Sequence, residues 1–238
     1  IFQMISIFTV EGNIGSGKST LIKILKQRLS HLGHRSIIYL QEPVDIWESI
    51  KDSEGKTIIE KYYENQTKYA FPFQMMAYIS RIHQLREILT KYSNVVVICE
   101  RSVFTDREIF AKMLHDDKKI EDIEYSIYLK WFDEFVKDLP VKGIIYVKAD
   151  PEICEKRVIK RNRKGESIPL SYLQNCHKYH EKWLNCGNIP VLTLNGNCEF
   201  MESFPQEWMI LTNTFMSDLS PNLFHNDLPK NFLNSVHC

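Results

Sequence analysis

The segment Gly12-Asn-Ile-Gly-Ser-Gly-Lys-Ser-Thr20 constrains this chain more than any other. It satisfies G-x-x-x-x-G-K-[ST], with Gly12, Gly17, Lys18 and Ser19 at the fixed positions. The apolar run Ile5–Val10 precedes it, and Leu21, Ile22, Ile24, Leu25 and Leu29 follow at helical spacing. A strand therefore enters the loop and a helix leaves it, the context a phosphate-binding loop needs. Glycine at positions 12, 15 and 17 lets the backbone N–H groups from Asn13, Ile14 and Ser16 through Thr20 converge on phosphate oxygens. Lys18 can reach the β- and γ-phosphates, and Ser19 can ligate the Mg²⁺ that bridges them. A turn that only caps a helix would explain neither the lysine nor both flanks. The motif reads as a nucleoside triphosphate site.

At 238 residues, 44% of them hydrophobic and 25% charged, the chain is expected to be one domain spanning 1–238. Thirty basic and thirty acidic residues cancel, which argues against a nucleic-acid partner. Membrane spans are not expected, since no apolar run approaches the roughly 18 residues one requires. The six cysteines (99, 154, 176, 186, 198 and 238) include no C-x-x-C pair and several lie in apolar segments. They read as reduced thiols in a cytoplasm-like compartment rather than zinc ligands or disulfides. The chain starts on Ile rather than Met, which leaves a lost mitochondrial transit peptide open.

Strand and helix patterns alternate. Strands are expected at Ile5–Val10, Ser36–Leu40, Val95–Cys99, Gly143–Val147 and Ile189–Leu194. Helices are expected at Lys18–Leu32, from Glu42-Pro43 to about Tyr92 with breaks near Ser53–Gly55 and Phe71–Phe73, at Thr105–Leu114 and at Ile120–Leu139. Asp150-Pro151 supplies an N-cap and first-turn proline for the next helix, which ends in the basic stretch Lys160–Gly165. Another runs from Ile168-Pro169-Leu170 to about Cys186, one more follows Glu199, and the tail from about 218 to 238 reads as extended and mobile. The fold class this implies is α/β, a five-stranded parallel sheet with helices on both faces.

Ligands bind such sheets outside the carboxyl ends of the strands. Glu42 follows the second strand and Glu100-Arg101 the third, so three segments bring charge to one edge. A carboxylate there can accept the proton of an attacking hydroxyl or hold Mg²⁺.

On these residues the chain resembles the deoxynucleoside kinases of the deoxycytidine and deoxyguanosine kinase type. The matching blocks are Glu11–Thr20, Glu42-Pro-Val44 with Trp47, Phe73-Gln74 with Ser80-Arg81, Glu100–Arg107, Arg157 with Arg161 and Arg163, then Ile168-Pro-Leu170, Tyr172-Leu173, His177, His180-Glu181 and Trp183-Leu184. The resemblance implies a P-loop kinase fold with an Arg-rich lid at about 160–168, transferring the ATP γ-phosphate to the 5′-hydroxyl of a deoxynucleoside. Glu42 would be the general base. Arg101 would support it and, with Lys18, Arg161 and Arg163, steady the transferred group, while Ser19 and Glu100 would hold Mg²⁺. Arg157 would stack on the donor adenine. Gln74 would bond the base edge between walls of Trp47, Phe71 and Phe110, and Tyr63 and Glu166 would bind the sugar 3′-hydroxyl. Arg81 and Asp106 would lie near the far edge of the base and favour deoxycytidine, with deoxyadenosine and deoxyguanosine as further acceptors and thymidine poor. Either ATP or another nucleoside triphosphate fits as donor. A homodimer through the helices around 75–92 and 120–138 is also implied.

Two other readings compete. A thymidylate-kinase-like nucleoside-monophosphate kinase would need cations for the acceptor's phosphate, where this chain has Glu42-Pro-Val-Asp45. A nucleotide-dependent switch or scaffold leaves Gln74, Arg81 and Asp106 unexplained.

Overall fold

A computed structural model describes residues 4–30, 37–137, 139–163, 168–198 and 205–221. Five parallel strands, β1 (Met4–Glu11), β2 (Ile37–Leu40), β3 (Asn94–Glu100), β4 (Val141–Lys148) and β5 (Val191–Asn195), form one sheet in the order β2-β3-β1-β4-β5. The helices are α1 (Lys18–Ser30), α2 (Val44–Ser49), α3 (Ile58–Glu64) and α4 (Gln66–Lys91). A short α5 (Val103–Thr105) then passes through a π-helical turn (Asp106–Ala111) into α6 (Lys112–Asp116), followed by α7 (Asp122–Val136), α8 (Pro151–Arg161), α9 (Leu170–Cys186) and α10 (Gln206–Leu219).

Alternation along the strands divides the core. Phe8 and Val10 of β1, Val96 and Ile98 of β3, and Ile145 and Val147 of β4 meet Leu21, Ile22, Leu25 and Leu29 of α1 and Trp208 and Met216 of α10. Ile5 and Ile7, with Val95, Val97 and Cys99, face Leu85 and Ile88 of α4 instead. Each such aliphatic side chain contributes about 1.5–3 kcal/mol by leaving water, so both faces must be covered. β1 is central, and its register places Val10 beside Glu100 and Glu11 beside Tyr146. The loops leaving β1 and β3 therefore start side by side at the carboxyl edge. That is where the chemistry collects.

Three expectations need correction. The helix expected to break at Phe71–Phe73 runs unbroken, with Pro72 inside α4; the break lies at Asn65, which caps α4 by accepting from the Lys68 amide at 3.1 Å. Pro72 is exposed, as is Lys68, whose carbonyl loses its usual i+4 partner to the proline. Asp150 occupies the N-cap of α8 without capping it; its carboxylate accepts from Asn197 Nδ2 at 3.0 Å. The tail expected from 218 begins inside α10, and from residue 222 onward it lies outside the described residues.

α10 closes the sheet at Gly143. A Cβ there would lie 2.7 Å from Phe215 and 2.8 Å from Leu219. Gly143→Val is expected to destabilise by about 1–3 kcal/mol through overpacking. A thermal melt no lower than that of the parent would show that α10 does not pack there.

Candidate active site

The P-loop is shaped by close backbone approach. Gly12 (φ 145°) passes so near β4 that a Cβ would sit 2.5 Å from the Val147 carbonyl oxygen, and Gly15 (φ 81°) would clash at 2.6 Å with that of Cys154 on α8. Asn13 fastens the loop from within: its Nδ2 donates to the Leu173 carbonyl at 2.8 Å and its Oδ1 accepts from the Ile14 amide at 2.8 Å. Lys18 is buried and donates to the Asn13 carbonyl at 2.7 Å. Burial, then the nearby Arg101 guanidinium, lower its pKa to about 8. Arg157 bridges the loop to the end of β5, donating to the carbonyls of Ser16 (3.1 Å), Gly196 (2.9 Å) and Cys198 (2.6 Å).

Ser19 lies in the first turn of α1, and its hydroxyl donates to Glu100 Oε1 at 2.5 Å. A hydroxyl and a carboxylate so close form a hard-oxygen pair that fits Mg²⁺, which takes one or two protein ligands and fills the rest with phosphate and water. Among the described residues no trio of His, Cys, Asp or Glu forms a self-sufficient metal cage.

Glu42 leaves β2 and meets two guanidinium groups on one oxygen. Arg101 Nε lies 3.0 Å and Arg81 Nη2 3.4 Å from its Oε1. Burial raises the Glu42 pKa, but Arg101, Arg81 and Lys18 outweigh it and hold the carboxyl below its usual value. Arg101 sits at φ 63°, a left-handed conformation costing roughly 1 kcal/mol or more for a side chain of this kind. Its amide donates to the Val10 carbonyl at 3.0 Å, which fixes the strained turn. Arg81 Nε donates to Asp106 Oδ2 at 2.9 Å and its Nη1 to the Glu100 carbonyl at 3.0 Å. Asp106 is buried, and despite Arg81 that burial pushes its carboxyl up to about 6.

These groups line one cavity of about 1470 Å³ that runs from the P-loop to an aromatic slot. Trp47, held by a bond from Nε1 to Ser80 Oγ at 2.9 Å, meets Phe73 edge-on at 5.7 Å. Phe110 faces the slot with the Arg101 guanidinium 5.0 Å from its ring centre. Tyr63 also lines it, and Gln74 is buried with Oε1 unpaired among the described residues. Because α4 is continuous, Phe73, Gln74, Ala77 and Arg81 share its cavity face. The π-helical turn likewise delivers Asp106 and Phe110 together, a distortion common at functional sites.

Phe71 is a correction. It packs into the apolar clusters around Tyr78 and Tyr62, away from the cavity, and Phe73 is the wall. Two residues on a helix differ by roughly 200°, so both could not face the slot. Tyr62 and Tyr172 were missed: both line the cavity, with hydroxyls 3.4 Å apart, and Tyr62 stacks on Phe73 at 4.6 Å. Tyr172 stands in a matched block and Tyr62 beside Tyr63, so aromatic character at those places was the available signal. Arg161 ends α8, Asn162 turns left-handed at φ 48°, and Arg163 follows, with both arginines at the cavity rim. Glu166 lies outside the described residues.

A P-loop, a carboxylate between two guanidinium groups and a planar slot are thus contiguous, and comparison with known proteins agrees. The family model "Deoxynucleoside kinase" matches residues 8–216. The chain is 37% identical to a probable deoxycytidine kinase of Fowlpox virus, over 89% of this chain and 88% of that protein. It is 34% identical to deoxycytidine kinase 2 of Gallus gallus (85% and 86% covered) and 33% identical to the mitochondrial deoxyguanosine kinase of Xenopus laevis (81% and 82%). The chain belongs to the deoxynucleoside kinase family.

Proposed function

We propose that this protein phosphorylates the 5′-hydroxyl of deoxycytidine from ATP. The observation that carries the reading is Glu42: both guanidinium contacts fall on Oε1, leaving Oε2 to take the hydroxyl proton. A general base must sit within hydrogen-bond reach of that proton, and Glu42 lines the cavity between P-loop and slot. Lys18 and the P-loop amides hold the donor phosphates. Arg101, and Arg161 and Arg163 from the rim, offset charge on the transferred phosphoryl group. Ser19 and Glu100 would hold Mg²⁺, which would supply charge neutralisation at the phosphates. Arg157, which lines the cavity beside the P-loop, stacks its guanidinium on the donor base.

The slot supports a flat base between Phe73, Phe110 and Trp47, with Gln74 on its edge. Arg81 and Asp106 line the same cavity as a charged pair, unsuited to the thymine methyl, and several relatives carry the name deoxycytidine kinase. Glu42, Asp45 and Glu48 all border the cavity and would repel a monophosphate acceptor. The acceptor atom is tested with 2′,5′-dideoxycytidine. It should compete with deoxycytidine yet give no product; a phosphorylated product would place the chemistry elsewhere.

Lys18 provides a test of the donor site. Free Lys18 titrates near 8, and phosphates beside it raise that value, so ATP binding between about pH 8 and 9 should take up a proton. Calorimetry in buffers of different ionisation enthalpy should read that uptake, and a zero result would remove Lys18 from the phosphates.

We also propose a homodimer. Ile123, Ile127, Trp131 and Phe135 recur every fourth residue on α7 and are 39–68% exposed, with Ile79 of α4 52% exposed. Trp131→Glu should halve the mass seen by light scattering; an unchanged mass would exclude this face. Among the described residues no helix is long and apolar enough to cross a membrane.

A further inference from the structure

Glu11 is the last residue of β1, immediately before Gly12, and is wholly buried. Its Oε2 accepts a hydrogen bond from Thr105 Oγ1, 94 positions away in sequence. Thr105 closes the turn after β3: its amide donates to the Ser102 carbonyl at 3.1 Å and lies 3.2 Å from the Ser102 hydroxyl. Arg101 precedes that turn and Asp106 ends it. Two routes then converge on one atom. Arg101 reaches Glu42 Oε1 directly, and Asp106 orients Arg81, which reaches the same oxygen. The β1–β3 register fixes only the strands; Arg101 bonds the Val10 carbonyl and Arg81 holds Glu100 and Asp106, while Thr105 between them is held by Glu11. A buried carboxyl is costly unless it has a partner, so its place here needs a reason beyond packing.

We infer that Glu11, acting through the Thr105 hydroxyl, is a positioning residue that sets the Arg101–Asp106 turn, and with it Glu42, against the phosphate loop. The inference rests on Glu42 being the base. Neither Glu11 nor Thr105 lines the cavity, so their contact reaches the substrate only through the residues the turn carries. Because Oε1 of Glu42 is shared by two guanidinium groups, a shift of the turn moves both together.

The test is steady-state kinetics of the full chain with Thr105→Val, Thr105→Ser, Glu11→Leu, the double variant Glu11→Leu/Thr105→Val, and Glu42→Gln as a control. Thr105→Val, nearly isosteric but without the hydroxyl, should lower kcat by about ten- to a hundredfold, the scale of a small misplacement. The deoxycytidine KM should change by less than about threefold. Thr105→Ser should recover most of the loss. The double variant should be no slower than the slower single, since one contact is removed once. Multiplying losses, a KM effect without a kcat effect, or a lower melting temperature with normal kcat would overturn the inference. A full-rate Glu42→Gln would overturn the base assignment itself. A slow Glu42→Gln beside a normal Thr105→Val would overturn only the positioning role. If Glu11→Leu does not fold, the valine–serine comparison decides alone.

Discussion

Replacing Glu42 by Gln is expected to lower kcat by about 10²–10⁴-fold, the usual worth of a general base, while deoxycytidine still binds. The amide keeps the shape and one acceptor for Arg101 and Arg81, but it cannot take a proton. The pH dependence has a definite sign. Arg101, Arg81 and Lys18 overcome burial and depress the Glu42 pKa, so the carboxylate form is present throughout the neutral range. The acid limb that belongs to Glu42 should therefore lie below the ordinary carboxylate range, and the Gln variant should lack it. A Gln variant with unchanged kcat would remove Glu42 from the chemistry.

The second large effect concerns Arg81. Arg81→Met alone strips Asp106 of its partner in a site where the carboxylate side chain is 3% exposed. Breaking one half of a buried pair costs about 3–5 kcal/mol, because the other half stays behind. Asp106, already pushed up to about 6, should then protonate at neutral pH to escape part of that cost. Arg81→Met with Asp106→Ala removes both charges. It should regain stability over the single variant and improve thymidine relative to deoxycytidine, since the far end of the slot becomes apolar and roomier. Melting temperatures of the single and double variants check the first claim, and the ratio of kcat/KM for the two nucleosides checks the second. A double variant with the parent's preference would end the base-selection argument.

Much of this was legible in the chain. The alternation of apolar runs with 3.6-residue patterns gave the parallel sheet, because buried strands carry continuous apolar residues and covering helices do not. Glu42, Glu100 and Arg101 were legible because each follows an apolar run at the edge where ligands bind. The internal proline was misread: Pro72 suggested a break, but packing of the buried face from Ala70 to Ile88 outweighs one lost backbone bond. Phe71, a wall only by resemblance, lies two residues from Phe73 on the continuous α4, and it is Phe73 that lines the cavity. Tyr62, Tyr172 and the Glu11–Thr105 contact join segments far apart in sequence, and no local pattern encodes such a meeting. The π-helical turn that pairs Asp106 with Phe110 is likewise a tertiary outcome.

The most direct test is a phosphorylation panel. The full chain with Mg-ATP would receive deoxycytidine, deoxyguanosine, deoxyadenosine, thymidine and dTMP separately, with products resolved by chromatography. The geometry around Glu42, Gln74 and the Arg81–Asp106 pair predicts that deoxycytidine monophosphate forms fastest and that thymidine lags. Phosphorylation of dTMP alone would contradict it.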